Sequence, residues 1–348
     1  MAIPQQATVF VTGSTGSVGG AVTTEILKAG FRVKAVVRNR EKGRFLEEAF
    51  WPIYGQQALE LCYHDDLTDT EMLASEMKGC AGVAHVASNI STSTDPEQVI
   101  TPTVKSVTAL LEAAAQTPSI KRFVYTSSLA TLPKASEPIE ITPSSWAPDS
   151  IIAAARSGPE SGLSEMERGM AVYAASKLLA ERACWDFVRE RQPGFAFNAV
   201  VAYTNLGAFV HPRLVSSFNG LVLGVWLGDP RAGPTLDMVE RAAGVHLLIN
   251  LEDCGLLHVA ALTLPDVAGE RILAGGEAFT YNDILDTMRE IDPTRALPEH
   301  SDFCPAEVKA NIETARYKEL LARLGKPEPT GFKESIKQAI TSGAGAPN

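Results

Sequence analysis

The stretch VTGSTGSVGG, residues 11–20, constrains the fold more than any other part of the chain. A β-rich run, ATVFVTG (7–13), leads into it, and a helical pattern, SVGGAVTTEILKAG (17–30), leads out. That helix carries Val18, Val22, Ile26 and Ala29 on one face and stops at Gly30. Without a Cβ, Gly13, Gly16 and Gly19 permit a tight turn, a close approach of an anion to the backbone, and tight packing of helix on strand. The helix start then turns free N–H groups and the positive end of its dipole toward that anion. Ser14, Thr15, Ser17 and Val18 fill out the loop. The spacing is G-x-x-G-x-x-G, and its place between strand and helix predicts a dinucleotide pyrophosphate site.

The following chain keeps alternating. FRVKAVVR (31–38), ALELCYHDDL (58–67), CAGVAHVAS (80–88), KRFVYTSS (121–128) and FAFNAVVAYTN (195–205) read as strands, with a long helix expected at about 98–116. Strands separated by helical patterns imply βαβ units, so the expectation is α/β, a Rossmann-type doubly wound parallel sheet. Residues 1–205 read as the Rossmann domain that binds the dinucleotide, interrupted by an irregular insertion at 129–170, rich in Pro, Ser and Gly, that is expected to lie near the site. Residues 206–340 read as a mainly substrate-binding region, with a strand-like HVAALTL (258–264) and a late helix at ESIKQAI, and 341–348 as a flexible tail.

Charge and composition narrow the partners. A net charge of −10 and no Lys/Arg-rich block argue against a nucleic-acid surface or an anionic membrane. No secretory leader pattern and no apolar run of membrane-spanning length is visible. The five cysteines lack a C-x-x-C pair and the six histidines lack ligand spacing, so no metal is expected. A cytoplasmic monomer or homodimer acting on a small molecule is the expectation.

The end of the second strand selects the dinucleotide. An NAD site wants a carboxylate there for the ribose 2′-OH; this chain has Arg38, then Arg40 and Lys42, suited to a 2′-phosphate. NADPH/NADP+ is the expected cofactor.

In MAVYAASKLLAERACW, Tyr173 and Lys177 fall four apart on one helix face. With seven Tyr and thirteen Lys in 348 residues, chance supplies roughly a quarter of one such pair. An ammonium beside a phenol should lower its pKa and let it protonate a carbonyl oxygen during hydride transfer. VYTSS upstream ends a strand with hydroxyls at the edge where ligands of such sheets bind.

Taken in order, the T-G-x-x-G-x-x-G loop, T-S-S and Y-x-x-x-K resemble the extended short-chain dehydrogenase/reductase family. GVAHVAS, TPSIKRFVYTSS, SSW, VYAASKLLAERACW, FNAVVAYTNLG and ESIKQAI resemble, more closely, the fungal carbonyl (aldehyde/methylglyoxal) reductases related to plant dihydroflavonol-4-reductases, over about residues 7–340. The resemblance implies a catalytic triad of Ser128, Tyr173 and Lys177, with Ser128 favoured over Ser127 and Lys177 also bonding the nicotinamide ribose. It implies Gly13, Gly16 and Gly19 on the pyrophosphate, Arg38 and Lys42 on the 2′-phosphate, Asp66 and Leu67 flanking the adenine, and Ala87 near the cofactor ribose. Two positions depart from the family. Ala202 stands where relatives carry a Pro that meets the nicotinamide, a contact its carbonyl can still make. Pro133 stands where the flavonoid reductases place an Asn on their polyphenol, so dihydroflavonol is not the expected substrate.

Tyr203, Phe209 and Trp226 are candidates for an apolar substrate pocket, as are Leu221 and Leu223, against the plainer reading that they are core. His85 and His258 read as buried, satisfied histidines, and Trp146 and Trp185 as packing. The chain is thus expected to be an NADPH-dependent carbonyl reductase. A redox-neutral sugar-nucleotide epimerase or dehydratase and a non-catalytic NADP-sensing protein are the alternatives.

Overall fold

A computed structural model describes residues 2–91 and 93–343. In chain order its first part runs β1 (Thr8–Thr12), α1 (Ser17–Lys28), β2 (Arg32–Val37), α2 (Arg40–Tyr54), β3 (Leu59–Tyr63), α3 (Thr70–Glu76), β4 (Cys80–His85), α4 (Pro96–Ala115) and β5 (Arg122–Ser128). A short β6 (Glu140–Ile141) and α5 (Ser150–Ala155) precede the long α6 (Glu165–Arg191), β7 (Ala196–Ala202) and β8 (Thr204–Leu206). There follow α7 (Ser217–Leu227), α8 (Ala232–Ala243), β9 (His246–Asn250), α9 (Leu251–Thr263), β10 (Arg271–Ala274), β11 (Glu277–Phe279) and α10 (Tyr281–Ile291). β12 (Asn311–Ile312), α11 (Ala315–Arg323) and α12 (Phe332–Gly343) complete the described chain.

Seven strands form one parallel sheet in the order β3-β2-β1-β4-β5-β7-β10. Successive strand residues face opposite sides, so β1 sends Val9 and Val11 into one apolar cluster and Phe10 into the other. The first cluster lies under α1, α2, α9 and α11; the second lies under α3, α4 and α6. Apolar on both faces, the strands fit the covered, Rossmann-type parallel sheet that the sequence implied. A third cluster gathers α7, α8, α10 and α12 around the small β11-β9-β8 sheet.

Chain beyond residue 206 serves both parts. β10 pairs with β7, Arg271 opposite Ala199 and Ala274 opposite Ala202, so it closes the main sheet. The strand-like HVAALTL is instead the second half of α9. Its residues are buried nearly all round, and such an apolar run carries no period by which helix and strand differ. Gly255 lets α9 lie against α1, since a Cβ there would stand 2.8 Å from the Ala21 carbonyl oxygen.

Three further expectations are revised. The 129–170 insertion ends early, because a capping box between Ser164 and Glu167 starts α6 at Glu165. Ala29 is not part of the apolar face of α1; it is the exposed C-cap, and Ala21 and Leu27 take the buried places. Of the expected tail, residues 341–343 continue α12 and 344–348 lie outside the described residues.

Candidate active site

The glycine loop lies where the chain leaves β1 for α1, at the strand ends where the order of connections reverses. Gly13 has φ +81°, and a Cβ on it would stand 2.7 Å from the Ala87 nitrogen; one on Gly19 would stand 2.0 Å from the Gly13 oxygen. The loop is therefore closed by backbone on backbone. Ala87 donates its N–H to Thr12 Oγ1 at 3.2 Å, and that hydroxyl also bonds His85 Nδ1 at 2.7 Å. Burial holds His85 down to about 3, so the ring is neutral. Ser14 is fully buried and accepts from Thr23. At the start of α1, with no side-chain cap on Gly16, the N–H groups of Val18 and Gly19 find no partner among the described residues. Those two donors, with the glycine backbone, can cradle a pyrophosphate.

At the end of β2, Asn39 caps α2 by accepting from the Lys42 N–H at 2.8 Å. Arg40 lies over the Tyr63 ring at 4.7 Å. The Arg38 and Lys42 side chains are exposed and make no hydrogen bond or ion pair among the described residues. Asp66 is locked in its own turn, accepting from both the N–H and the hydroxyl of Thr68, while Leu67 packs against the second core cluster.

Across the sheet, β5 delivers Ser127 and Ser128 to opposite sides. Ser127 is buried and donates to Glu181. Ser128 is half-buried at the strand end, its hydroxyl accepting the Ala130 N–H at 3.2 Å and lying near enough to the Tyr173 phenol to lower its pKa. Ala202, the neighbour of Ser128 in the sheet register, is buried beside it. Lys177 lies one turn below Tyr173, its Nζ 2.7 Å from the Thr126 carbonyl oxygen and 4.5 Å from the centre of the Tyr125 ring. Burial depresses its pKa to about 8 against the opposing pull of Glu181. The phenol departs from expectation. Burial raises the Tyr173 pKa while the nearby Ser128 hydroxyl lowers it, so the group is held protonated above its ordinary range. The reason is geometric: Lys177 turns its ammonium to Thr126.

The apolar candidates separate. Tyr203 is buried directly after β7, and its hydroxyl has no partner among the described residues. Phe209 and Trp226 sit in the third core cluster, Phe209 tied by its N–H to Ser342 and Trp226 covered by the Arg295 guanidinium at 3.9 Å. Leu221 and Leu223 join the same cluster. His258 is buried between Thr126 and Cys254, both at 2.7 Å.

Two features escaped the sequence reading. Ser216, 199 residues from Ser17, accepts the Ser17 N–H at 3.1 Å and the Ser17 hydroxyl at its carbonyl, at the rim of the phosphate loop. Nothing in the sequence marks so distant a pairing. Met166 and Met170 lie within about 60° of Tyr173 and Lys177 around α6, half-buried on the same face. The S-x-x-E capping box at 164–167 would have located the helix start and with it this stripe.

The family model described as the NAD dependent epimerase/dehydratase family matches residues 9–223. The chain belongs to this family. Within it, the NAD-dependent epimerase/dehydratase terH of Aspergillus terreus is 33% identical over 343 residues, 98% of both chains. Aldehyde reductase 2 of Sporidiobolus salmonicolor is 33% identical over 345 residues, 98% of this chain and 97% of that one. Among solved structures, yeast methylglyoxal/isovaleraldehyde reductase Gre2 complexed with NADPH superposes with a TM-score of 0.74 at 22% identity, covering 97% and 98% of the two chains. That likeness bears on the fold of this epimerase/dehydratase family member.

Proposed function

We propose that the protein is an NADPH-dependent carbonyl reductase, converting an aldehyde or ketone to an alcohol. The observation that carries this reading is the Ser128 hydroxyl set beside the Tyr173 phenol at the sheet edge, with Lys177 beneath it. The reductase names borne by similar proteins, among them aldehyde reductase 2 and the NADPH-bound yeast enzyme, point the same way. The chain fits the cofactor: Gly13 and Gly19 let the loop close backbone on backbone, the Val18 and Gly19 N–H groups are left for an anion, and Arg38 and Lys42 are exposed at the end of β2. Gly16, Val18 and Ser216 would flank the pyrophosphate, and Ala87, Ala202 and Tyr203 the nicotinamide half. Bound there, NADPH supplies the hydride.

The remaining chemistry belongs to side chains. Ser128 orients the carbonyl by donating to its oxygen, and Tyr173 donates the proton that makes the alcohol. A phenol raised by burial is in the right state to do so, because it is protonated at working pH. Lys177 sets the strand end beneath the pair by donating to the Thr126 carbonyl, and its ammonium is kept below about 8 and lost as pH rises through that value. Met166 and Met170 give the carbonyl substituents an adaptable apolar wall.

The test is loss of NADPH absorbance against aldehydes, β-ketoesters and aryl ketones, with Tyr173→Phe alongside. Turnover that falls about 10²–10⁴-fold in the variant, with NADPH binding retained, supports the reading. Tight NADPH binding without turnover of any carbonyl overturns it.

A further inference from the structure

We propose that Glu181, paired with Arg271, is a positioning residue for this site, holding the strand end that carries Ser128 and the helix face that carries Lys177 in one frame. The inference rests on the carbonyl-reductase reading above. Its basis is a buried network that touches the triad from behind.

Glu181 is fully buried on α6, one turn beyond Lys177. Its Oε1 accepts from Arg271 Nε at 2.7 Å and from Trp185 Nε1 at 3.3 Å, and its Oε2 accepts from Ser127. Ser127 adjoins Ser128 but faces away from it, so this bond fixes the strand end without occupying the cleft. Arg271 continues the frame. Its Nη2 donates to Thr131 Oγ1 at 2.7 Å, and the Thr131 hydroxyl donates to the Ser128 carbonyl at 2.9 Å. Its Nη1 donates to the carbonyls of Pro143 and Ser145, and its guanidinium stacks 3.9 Å from the centre of the Trp146 ring. Ser128 is thus held through Ser127 on one side and Thr131 on the other, and both supports end on the same ion pair.

A buried carboxylate left unpaired would be costly, and an ion pair of this kind is seldom needed for stability alone, since apolar side chains of like volume serve as well. What it adds here is a fixed geometry and a negative charge near Lys177. The groups facing that ammonium are Glu181 and Cys184 on its own helix, Tyr125 and Thr126 on β5, and His85 on β4, whose ionisation burial and Lys177 together suppress. His85 is neutral and the Tyr and Cys groups are protonated, so Glu181 is the one anion acting on it among those groups. Without that anion the ammonium is lost at lower pH.

The experiment compares wild type with Glu181→Gln, which keeps the shape and removes the charge, and with Ser127→Ala, which removes one support and leaves the ion pair intact. NADPH affinity by fluorescence titration, melting temperature, and kcat and KM across pH 6–10 are measured on the whole chain. We expect Glu181→Gln to bind NADPH within about twofold of wild type, to lose about tenfold in kcat, and to bring the alkaline fall of kcat to lower pH. Ser127→Ala should lose a few-fold in kcat with the wild-type pH profile. A Glu181→Gln enzyme that melts earlier but keeps the wild-type kcat and pH profile overturns the inference, leaving the pair purely structural. If Glu181→Gln does not fold, an unchanged kcat in Ser127→Ala overturns it. Wild-type protein that binds NADPH and reduces no carbonyl defeats the underlying reading, and this one with it.

Discussion

The two sides of the cleft are built from different materials. The cofactor side, from β1 to β4, is closed by main chain: glycines at which a Cβ would stand within 3 Å of backbone atoms, two free N–H groups and the Thr12 hydroxyl bridging His85 and Ala87. The side proposed for the substrate is made of side chains on α6 and of a segment between β5 and α6 whose regular structure is a two-residue strand, one short α-helix and two single 3-10 turns. A main-chain site tolerates few residue types, so it leaves a signature. A side-chain wall has only to be apolar and well shaped, and many residues meet that demand.

That contrast sets the expected size of substitution effects. Gly19→Ala should be the most damaging change, because the new Cβ would stand 2.0 Å from the Gly13 oxygen and 2.9 Å from the Ser14 nitrogen, neither of which can swing aside. Displacing that loop by an ångström should cost about a hundredfold in NADPH affinity or more, measured by titration; unchanged binding would erase the distinction between the two sides. Arg38→Gln with Lys42→Gln comes next. Charge-assisted bonds to phosphate are worth about 1.5–3 kcal/mol each, so NADPH should bind at least about tenfold more weakly while NADH is unaffected. An equal loss for both cofactors would mean that the cations serve the fold. Met170→Ala should matter least, reordering the carbonyl panel within about tenfold and leaving NADPH affinity alone. A loss of cofactor binding there would show that the α6 stripe does not belong to the substrate side.

Legibility in the sequence follows the same line. The loop at 11–20, the basic end of β2, T-S-S and Tyr173/Lys177 stand out in the sequence because each joins an uncommon residue choice to an element boundary. The choice of Ser128 over Ser127 came from resemblance alone; the structure adds a physical reason, since Ser127 is turned to Glu181. The rest was hidden by sequence distance or by uniform apolarity. Arg271 meets Glu181 across 90 residues, Ser216 meets Ser17 across 199, and α9 reads as a strand because it is buried on nearly every side. The state of Tyr173 was misjudged because spacing along a helix gives proximity, whereas the direction of the Lys177 side chain depends on a carbonyl in another element.

The late return of β10 to the sheet has a consequence for how the protein comes into being. A chain growing from its N-terminus presents the glycine loop and the Tyr173 helix long before residues 251–274 exist. Until then the outer edge of β7 is open, α1 lacks its α9 neighbour, and Glu181 has no Arg271. Contacts of such long sequence separation are slow to form, because loop closure must precede them. Maturation of the half that holds the candidate site therefore waits on chain that contributes little to the cleft itself, and a product cut short at 205 would hold every motif of the proposed reaction and still lack the strand that locks them together.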